Sequence, residues 1–321
     1  MASNNFTSEL EFHILGFSSV LATPFLSFFI LLVIYIFNVS GNSLIIVVTR
    51  MDYNLYKPMY FFLGSLALVD MSFTTVTLPK LMEIFLNPQK TICFVCCMMQ
   101  MYFFLSVGVT ESFHLAAMSY DRYLAICNSL QYNRIMTNRV CVFMVLGCWI
   151  SGFSSVLLPV ILISRLQFCN LHINHFFCDI SPVIQLSCCN TKNLEMFIFL
   201  TAFIVILGTF SVIVFSYVKI VISILRISTS SGKKKAFSTC ISHLITFLIY
   251  YGTIIFMYVR PKSKSDLDID KKTAVFYSII SPTLNPLIYT LRNNEIKNSL
   301  KKNTYCTRES ESVTDKISVS T

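Results

Sequence analysis

The chain of 321 residues is 55% hydrophobic and only 13% charged, with a mean hydropathy of +0.66. A soluble domain would carry about 25% charged residues, so the deficit argues against a water-soluble globule and for burial in lipid. The net charge of +9 resides on basic residues set between apolar runs, which argues against nucleic acid and for anionic inner-leaflet lipid and a cytosolic partner.

Seven runs approach the roughly 20 mainly apolar residues that a membrane helix needs. They lie near Pro24–Val48, Pro58–Phe85, Cys97–Leu124, Val140–Ile163, Leu194–Leu225, Ala236–Val259 and Ala274–Leu291. The predicted fold is an all-α membrane protein, a seven-transmembrane helix bundle. It divides into an extracellular segment (1–22), the seven-span domain (23–292), and a cytosolic amphipathic helix with a disordered tail (293–321).

The first segment is short and polar and carries the glycosylation sequon Asn5-Phe6-Thr7. Met1–Val20 lacks the basic start and apolar core of a cleavable signal peptide, so the first span is expected to serve as the targeting signal. Basic residues set the orientation. With the N-terminus outside, Arg50, Lys57, Arg122, Arg134, Arg139, Lys219, Arg226, Lys233-Lys234-Lys235 and the basic tail face the cytosol. On the outer side, Arg260, Lys262, Lys264, Lys271 and Lys272 stand beside Asp266, Asp268 and Asp270. A second sequon, Asn38-Val39-Ser40, falls within the first span, out of a glycosyltransferase's reach. Gly41-Asn42 reads as a small-residue packing site with Asn42 as a polar anchor between helices.

The second span carries Asp70 and the third Glu111. At about 1.5 Å per residue, Asp70 lies roughly 18 Å above Pro58 and Glu111 roughly 16 Å above Arg122, so both sit near mid-membrane. Two bare carboxylates there are prohibitive. They either share a proton in a structural network or bind a cation such as sodium. His114, three residues after Glu111, falls on the same helical face and within its reach.

The third span closes on MSYDRYLAIC (118–127). Asp121 beside Arg122 and Tyr123 is either a charge pair at the lipid boundary or a lock in which Asp121 holds Arg122 in one state and releases it in another. Cys169, Cys178, Cys188 and Cys189 cluster in the next outer loop, and Cys97 opens the third span on that side. The outside is oxidising. A Cys97–Cys178 bridge would tie the loop to the third span, leaving Cys169 to pair with Cys188 or Cys189. His175-Phe176-Phe177-Cys178-Asp179 has ligand-like spacing, but Cys178 is better spent on a disulfide than on metal.

The fifth span ends at Tyr217. The sixth opens on KAFSTCISH, with His243, and runs on to Tyr250-Tyr251-Gly252. The seventh holds Pro282, Asn285-Pro286 and Tyr289. A proline inside a membrane helix frees a carbonyl and bends the helix. Asn285 can satisfy that carbonyl, giving a hinge or a static kink. Beyond Arg292, Ile296 and Leu300 between Lys297, Lys301 and Lys302 suit a surface amphipathic helix. Cys306 is either palmitoylated or a free thiol, and the Ser/Thr/Glu/Asp tail reads as disordered and phosphorylatable.

Together, KPMYFFL (57–63), MSYDRYLAIC (118–127), Ser216-Tyr217, KAFSTCISH (235–243) and PTLNPLIYTLRN (282–293) resemble the odorant receptor family of rhodopsin-like G protein-coupled receptors, over residues 10 to 302. The resemblance implies a ligand cavity opening outward, a small hydrophobic and volatile ligand, and signalling through a stimulatory olfactory-type G protein to cyclic AMP. It implies a multi-pass plasma membrane protein of olfactory sensory neuron cilia, with receptor kinase and arrestin as further partners. It assigns the inner coupling and activation switch to Asp121, Arg122, Tyr123, Tyr217, His243, Asn285, Pro286 and Tyr289, with Tyr251 beneath the ligand. It implies a sodium ion at Asp70 and Glu111, and Cys97–Cys178 and Cys169–Cys188 disulfides. Inward positions at the ligand cavity would be Phe104, Leu105, Gly108, Val109, Thr201, Val205, Ile206, Tyr251, Ile254, Ile255 and Tyr258. They are mostly apolar, which suits a small hydrophobic ligand. Phe104 stands where amine receptors carry an acid, which argues against an amine ligand. Departures from the family pattern are Ser119, Ser129, Tyr56-Lys57, Thr283 and His114. The last, near Glu111, suggests altered sodium or proton sensitivity.

Other classes fit less well. A transporter would use Asp70 and Glu111 as its ion path, but no inverted repeat or pair of broken helices is visible. No His, Ser or Cys cluster has a catalytic arrangement, so no enzymatic activity is expected. A receptor for a peptide or lipid is separated only by the family motifs.

Overall fold

The computed structural model describes residues 11–16, 24–87, 89–259, 267–292 and 295–299. The chain enters through a short strand, β1 (Glu11–Ile14), and the first span, α1 (Pro24–Met51). A 3₁₀ turn at Tyr53–Leu55 leads to α2 (Pro58–Leu86), whose Pro58 sits in the first turn, where a missing N–H costs nothing. Strand β2 (Thr91–Cys93) runs into α3 (Phe94–Cys127), followed by the short α4 (Ser129–Ile135) and by α5 (Asn138–Ser164). The outer loop holds β3 (His172–Ile173) and α6 (Ile180–Ile184). Then come α7 (Lys192–Leu225) and α8 (Ser230–Val259). The seventh span is built in three pieces: α9 (Leu267–Val275), a π-helical turn (Phe276–Ile280) and α10 (Ser281–Arg292).

Helices α1, α2, α3, α5 and α7 are each long and apolar enough to cross a membrane, and α8 contributes the apolar stretch His243–Phe256. With the three-piece seventh span they make a seven-helix bundle. Its packing is inverted relative to a soluble protein. Phe25, Phe143, Ile150 and Ile204 are about 70% exposed, while Asn38, Asp70, Thr74, Glu111 and Asn285 are at most 1% exposed. Apolar side chains face out because the surrounding medium is hydrocarbon, and polar ones turn inward to satisfy one another. The helices α2 and α3 form the buried centre, and α7 is the most lipid-facing.

Close approaches at glycines help set the helix spacing. A Cβ on Gly41 would meet Pro286 Cβ at 3.2 Å, so α1 and α10 pack at that glycine. A Cβ on Gly152 would collide with the Thr110 side chain and lie 2.8 Å from the Ser106 carbonyl, so α5 lies directly on α3.

The seventh span differs from its sequence reading. The expected bend at the prolines takes the form of the π turn just ahead of Pro282, where the Ser281 N–H reaches back five residues to the Phe276 carbonyl. A proline ring clashes with the carbonyl four residues earlier, and widening the preceding turn relieves that clash. Nor, among the described residues, does the Asn285 side chain bond its own helix; it reaches across to α2, as set out below.

On the outer face, β1 lies between the other two strands, antiparallel to β2 (Phe12↔Ile92) and parallel to β3 (His13↔His172, Ile14↔Ile173). This sheet was absent from the sequence reading, which left the N-terminal segment as polar chain. Disulfides join Cys97 to Cys178 and Cys169 to Cys188. A third, Cys93–Cys96, was not expected, and Cys189 is the free, exposed outer thiol. Asn5, Leu300 and Cys306 lie outside the described residues. At the inner end Ile296 is buried, and Glu295 accepts hydrogen bonds from Lys57 Nζ (2.8 Å) and Tyr60 Oη (2.9 Å). Burial of Glu295 opposes its ionisation, but those two bonds and the Lys57 charge outweigh it and lower its pKa.

Candidate functional site

Three polar layers stack along the bundle axis. At the inner end, Arg122 Nη2 donates to Asp121 Oδ2 at 2.8 Å, and Tyr132 of α4 donates to Asp121 Oδ1 at 2.7 Å. The pair is buried, with side chains 9% and 1% exposed. Burial, then the Asp121 charge and the bond it donates, push the Tyr132 phenol well above its ordinary pKa, so it stays a donor. The Arg122 charge is felt at Tyr217, Cys240 and His243, which places α3, α7 and α8 together here. The His243 and Tyr289 rings lie 5.3 Å apart, and Tyr217 stacks on Phe247 at 6.4 Å. Tyr123 points aside, its ring 6.1 Å from Phe215. Arg122 Nε, Ser216 Oγ, Tyr217 Oη and His243 Nδ1 have no hydrogen-bond partner among the described residues. So many buried polar atoms without partners in one layer are unusual. They leave this layer with spare hydrogen-bonding capacity among the described residues.

In the middle layer, Asn285 Nδ2 donates to both oxygens of Asp70 at 3.0 Å, joining α10 to α2. Thr74 donates to Asn38 Oδ1 at 2.8 Å, so Asn38 is the side chain that bridges α1 to α2. The expected anchor, Asn42, instead donates to the Asn38 carbonyl of its own helix. Asp70 and Glu111 are near enough to repel when both are ionised. Glu111 Oε1 has no hydrogen-bond partner among the described residues. Two carboxylates form an oxygen donor set of the kind a hard cation takes, and the orphaned Oε1 fits that reading.

His114 does not turn to Glu111. Its Nδ1 lies 3.0 Å from the Thr110 carbonyl and its Nε2 2.8 Å from Ser65 Oγ, so both ring nitrogens are engaged toward α2 and its own helix. Positions three apart share a face but diverge in direction, and Ser65 captures the ring.

In the outer half, Tyr251 donates to Thr209 Oγ1 at 2.6 Å, and Tyr250 to the Gly108 carbonyl at 2.7 Å. Ile206 and Ile254 pack with Tyr251 against α3, with Val205 half-buried nearby on α7. Phe104 rests between Phe177 of the outer loop (4.4 Å) and Phe73 (4.8 Å). Leu105 and Val109 pack beside the outer clusters. Thr201 bonds back to the Phe197 carbonyl, and Ile255 is 42% exposed. The Tyr258 side chain lies outside the described residues. A cleft of about 450 Å³ opens elsewhere, between the outer ends of α2 and α3, lined by Glu11, Lys80, Glu83, Cys93, Cys96 and Gln100 among others. None of the expected ligand positions lines it.

The HFFCD stretch is structural. Cys178 is in a disulfide, Asp179 caps the Ile180 N–H, and the buried His175 stacks on Phe176. Burial, and then the Lys271 charge, push His175 down to about 3.

The sequence profile described as olfactory receptor matches residues 31–306. Human olfactory receptor 6F1 is 45% identical over 303 residues, covering 94% of this chain and 98% of that protein. Human olfactory receptor 6N1 is 43% identical with 94% and 97% coverage, and rat olfactory receptor 226 is 42% identical with 95% of each chain covered.

Proposed function

The chain belongs to the olfactory receptor family, a multi-pass membrane receptor with an odorant ligand, a G protein partner and no enzymatic activity, and on that premise we propose how it signals. A small, mainly hydrophobic volatile enters the helical bundle. The receptor then drives nucleotide exchange on a stimulatory olfactory-type G protein and raises cyclic AMP, in the cilia of olfactory sensory neurons. The observation that carries this reading is the inner lock. Arg122 is held by Asp121, and Asp121 is held in turn by Tyr132, beside polar groups on α7 and α8 that have no hydrogen-bond partner among the described residues. A ligand that prefers an open bundle shifts the population. Arg122 then leaves Asp121, and Tyr217 and Tyr289 gain partners as α8 moves.

The apolar set from Phe104 to Ile254 favours a ligand with few polar groups. Tyr251, bonded to Thr209 on α7, lies between that set and the switch and links the two.

Cyclic AMP in cells expressing the receptor with its olfactory-type G protein, against a broad volatile panel, tests the proposal. A response that disappears in Arg122→Ala at preserved surface expression is expected. A response that persists in Arg122→Ala overturns the role of the lock, and a surface-expressed receptor silent to the panel overturns the volatile ligand or the coupling.

Sodium is proposed to sit at Asp70 and Glu111, where it would supply the counter-charge. Replacing sodium by a large organic cation is expected to shift ligand potency in the wild type and not in Glu111→Gln. Equal shifts in both would remove the ion from this site.

A further inference from the structure

His13 and His172 are register partners on the parallel strands β1 and β3. Their rings have centroids 5.2 Å apart and planes inclined by 30°. Both side chains are exposed on the outer face of the sheet, while Phe12, Ile14 and Ile173, at most 1% exposed, fix the opposite face. Backbone bonds from His13 N to the Leu171 carbonyl (2.8 Å) and Leu15 N to the Ile173 carbonyl (2.9 Å) hold the strands in place. Two imidazoles are therefore presented side by side on a fixed frame outside the membrane.

We propose that His13 and His172 form a binding site for a divalent transition metal ion, zinc or copper, that clamps the N-terminal strand to the second outer loop. Neutral imidazole nitrogen is a preferred ligand for both ions. With metal–nitrogen bonds of about 2.0–2.1 Å, two nitrogens on a tetrahedral ion lie about 3.3 Å apart. Side-chain rotation brings rings at the observed spacing to that separation. Among the described residues no cluster of three or more potential ligands is present. The ion therefore keeps open positions, filled by water. The clamp fastens β1 to the loop whose Phe177 rests on Phe104, so extracellular metal acts on the lid over the bundle.

The other three of the five histidines, His114, His175 and His243, are no more than 5% exposed, so surface imidazole binding belongs to this pair. The test is the thermal stability of purified full-length receptor with zinc chloride, copper chloride or magnesium chloride, a readout that needs neither odorant nor G protein. The expected result is a rise in Tm with zinc or copper and none with magnesium, lost in both His13→Gln and His172→Gln. No rise in the wild type, or an equal rise in both variants, overturns the proposal. Should a Gln variant fail to fold, copper EPR of the wild type decides: two nitrogen ligands are expected, and one or none overturns it.

Discussion

Asp121 divides its two oxygens between a neighbour on its own helix and a phenol from the second cytosolic loop. That division has a consequence for resting activity. Tyr132→Phe removes a charge-assisted bond worth about 1.5–3 kcal/mol and leaves Asp121 Oδ1 bare. Basal cyclic AMP at matched surface expression should rise above wild type, and an unchanged basal level would dissociate Tyr132 from the lock. On the outer side, His175 is held neutral, with its pKa lowered from 6.5 to about 3. The unfolded chain therefore takes up the proton first. Its contribution to stability is complete above about pH 6.5 and declines as pH falls toward 3. The Phe177 N–H donates to His175 Nδ1 at 3.4 Å, so His175→Asn keeps an acceptor for it and should flatten thermal stability against pH in that window; parallel slopes would count against it. The acids Asp70, Glu111 and Asp121 and the basic Arg122 were legible in the sequence because charges are rare in spans. The partners of Asn42 and His114 were not, because helix spacing fixes a face while the rotamer and the facing helix choose the bond.

Among the elements, α5 lies against the backbone of α3 at Gly152. Gly152→Ala puts a methyl against the Ser106 backbone carbonyl, which cannot move aside as a side chain can. Overpacking of this kind costs about 1–3 kcal/mol, so Tm should fall clearly. Gly147→Ala, with nothing within 4 Å of its Cβ, should leave Tm near wild type. Equal effects would mean that lost backbone freedom, and not the contact, decides the outcome. The spans themselves were readable from hydropathy. Strand β1 was not read: Glu11-Phe12-His13-Ile14 alternates polar and apolar, but four residues are a weak signal until partners from distant loops close the sheet. Pro282 announced a bend. That it becomes a π turn follows from carbonyl geometry that composition does not record.

At the scale of the molecule, the outer surface is one tied assembly. Cys97–Cys178 joins α3 to the loop, and Phe177 fixes that loop on Phe104. Losing a native disulfide typically costs about 2–5 kcal/mol, so Cys97→Ser should lose most surface expression and, where purified, melt at lower temperature. Surface levels equal to wild type would show that the sheet holds the loop by itself. The strand order also bears on biogenesis. Strand β1 is synthesised first yet lies between segments made later, at Thr91–Cys93 and His172–Ile173. Strand β1 can therefore pair with β2 once the second span is in place, but its other edge stays open until the fourth span has been inserted and the loop carrying β3 exported. Completion of this sheet therefore comes late in synthesis, and trimming away β1 would leave two open strand edges, on β2 and β3.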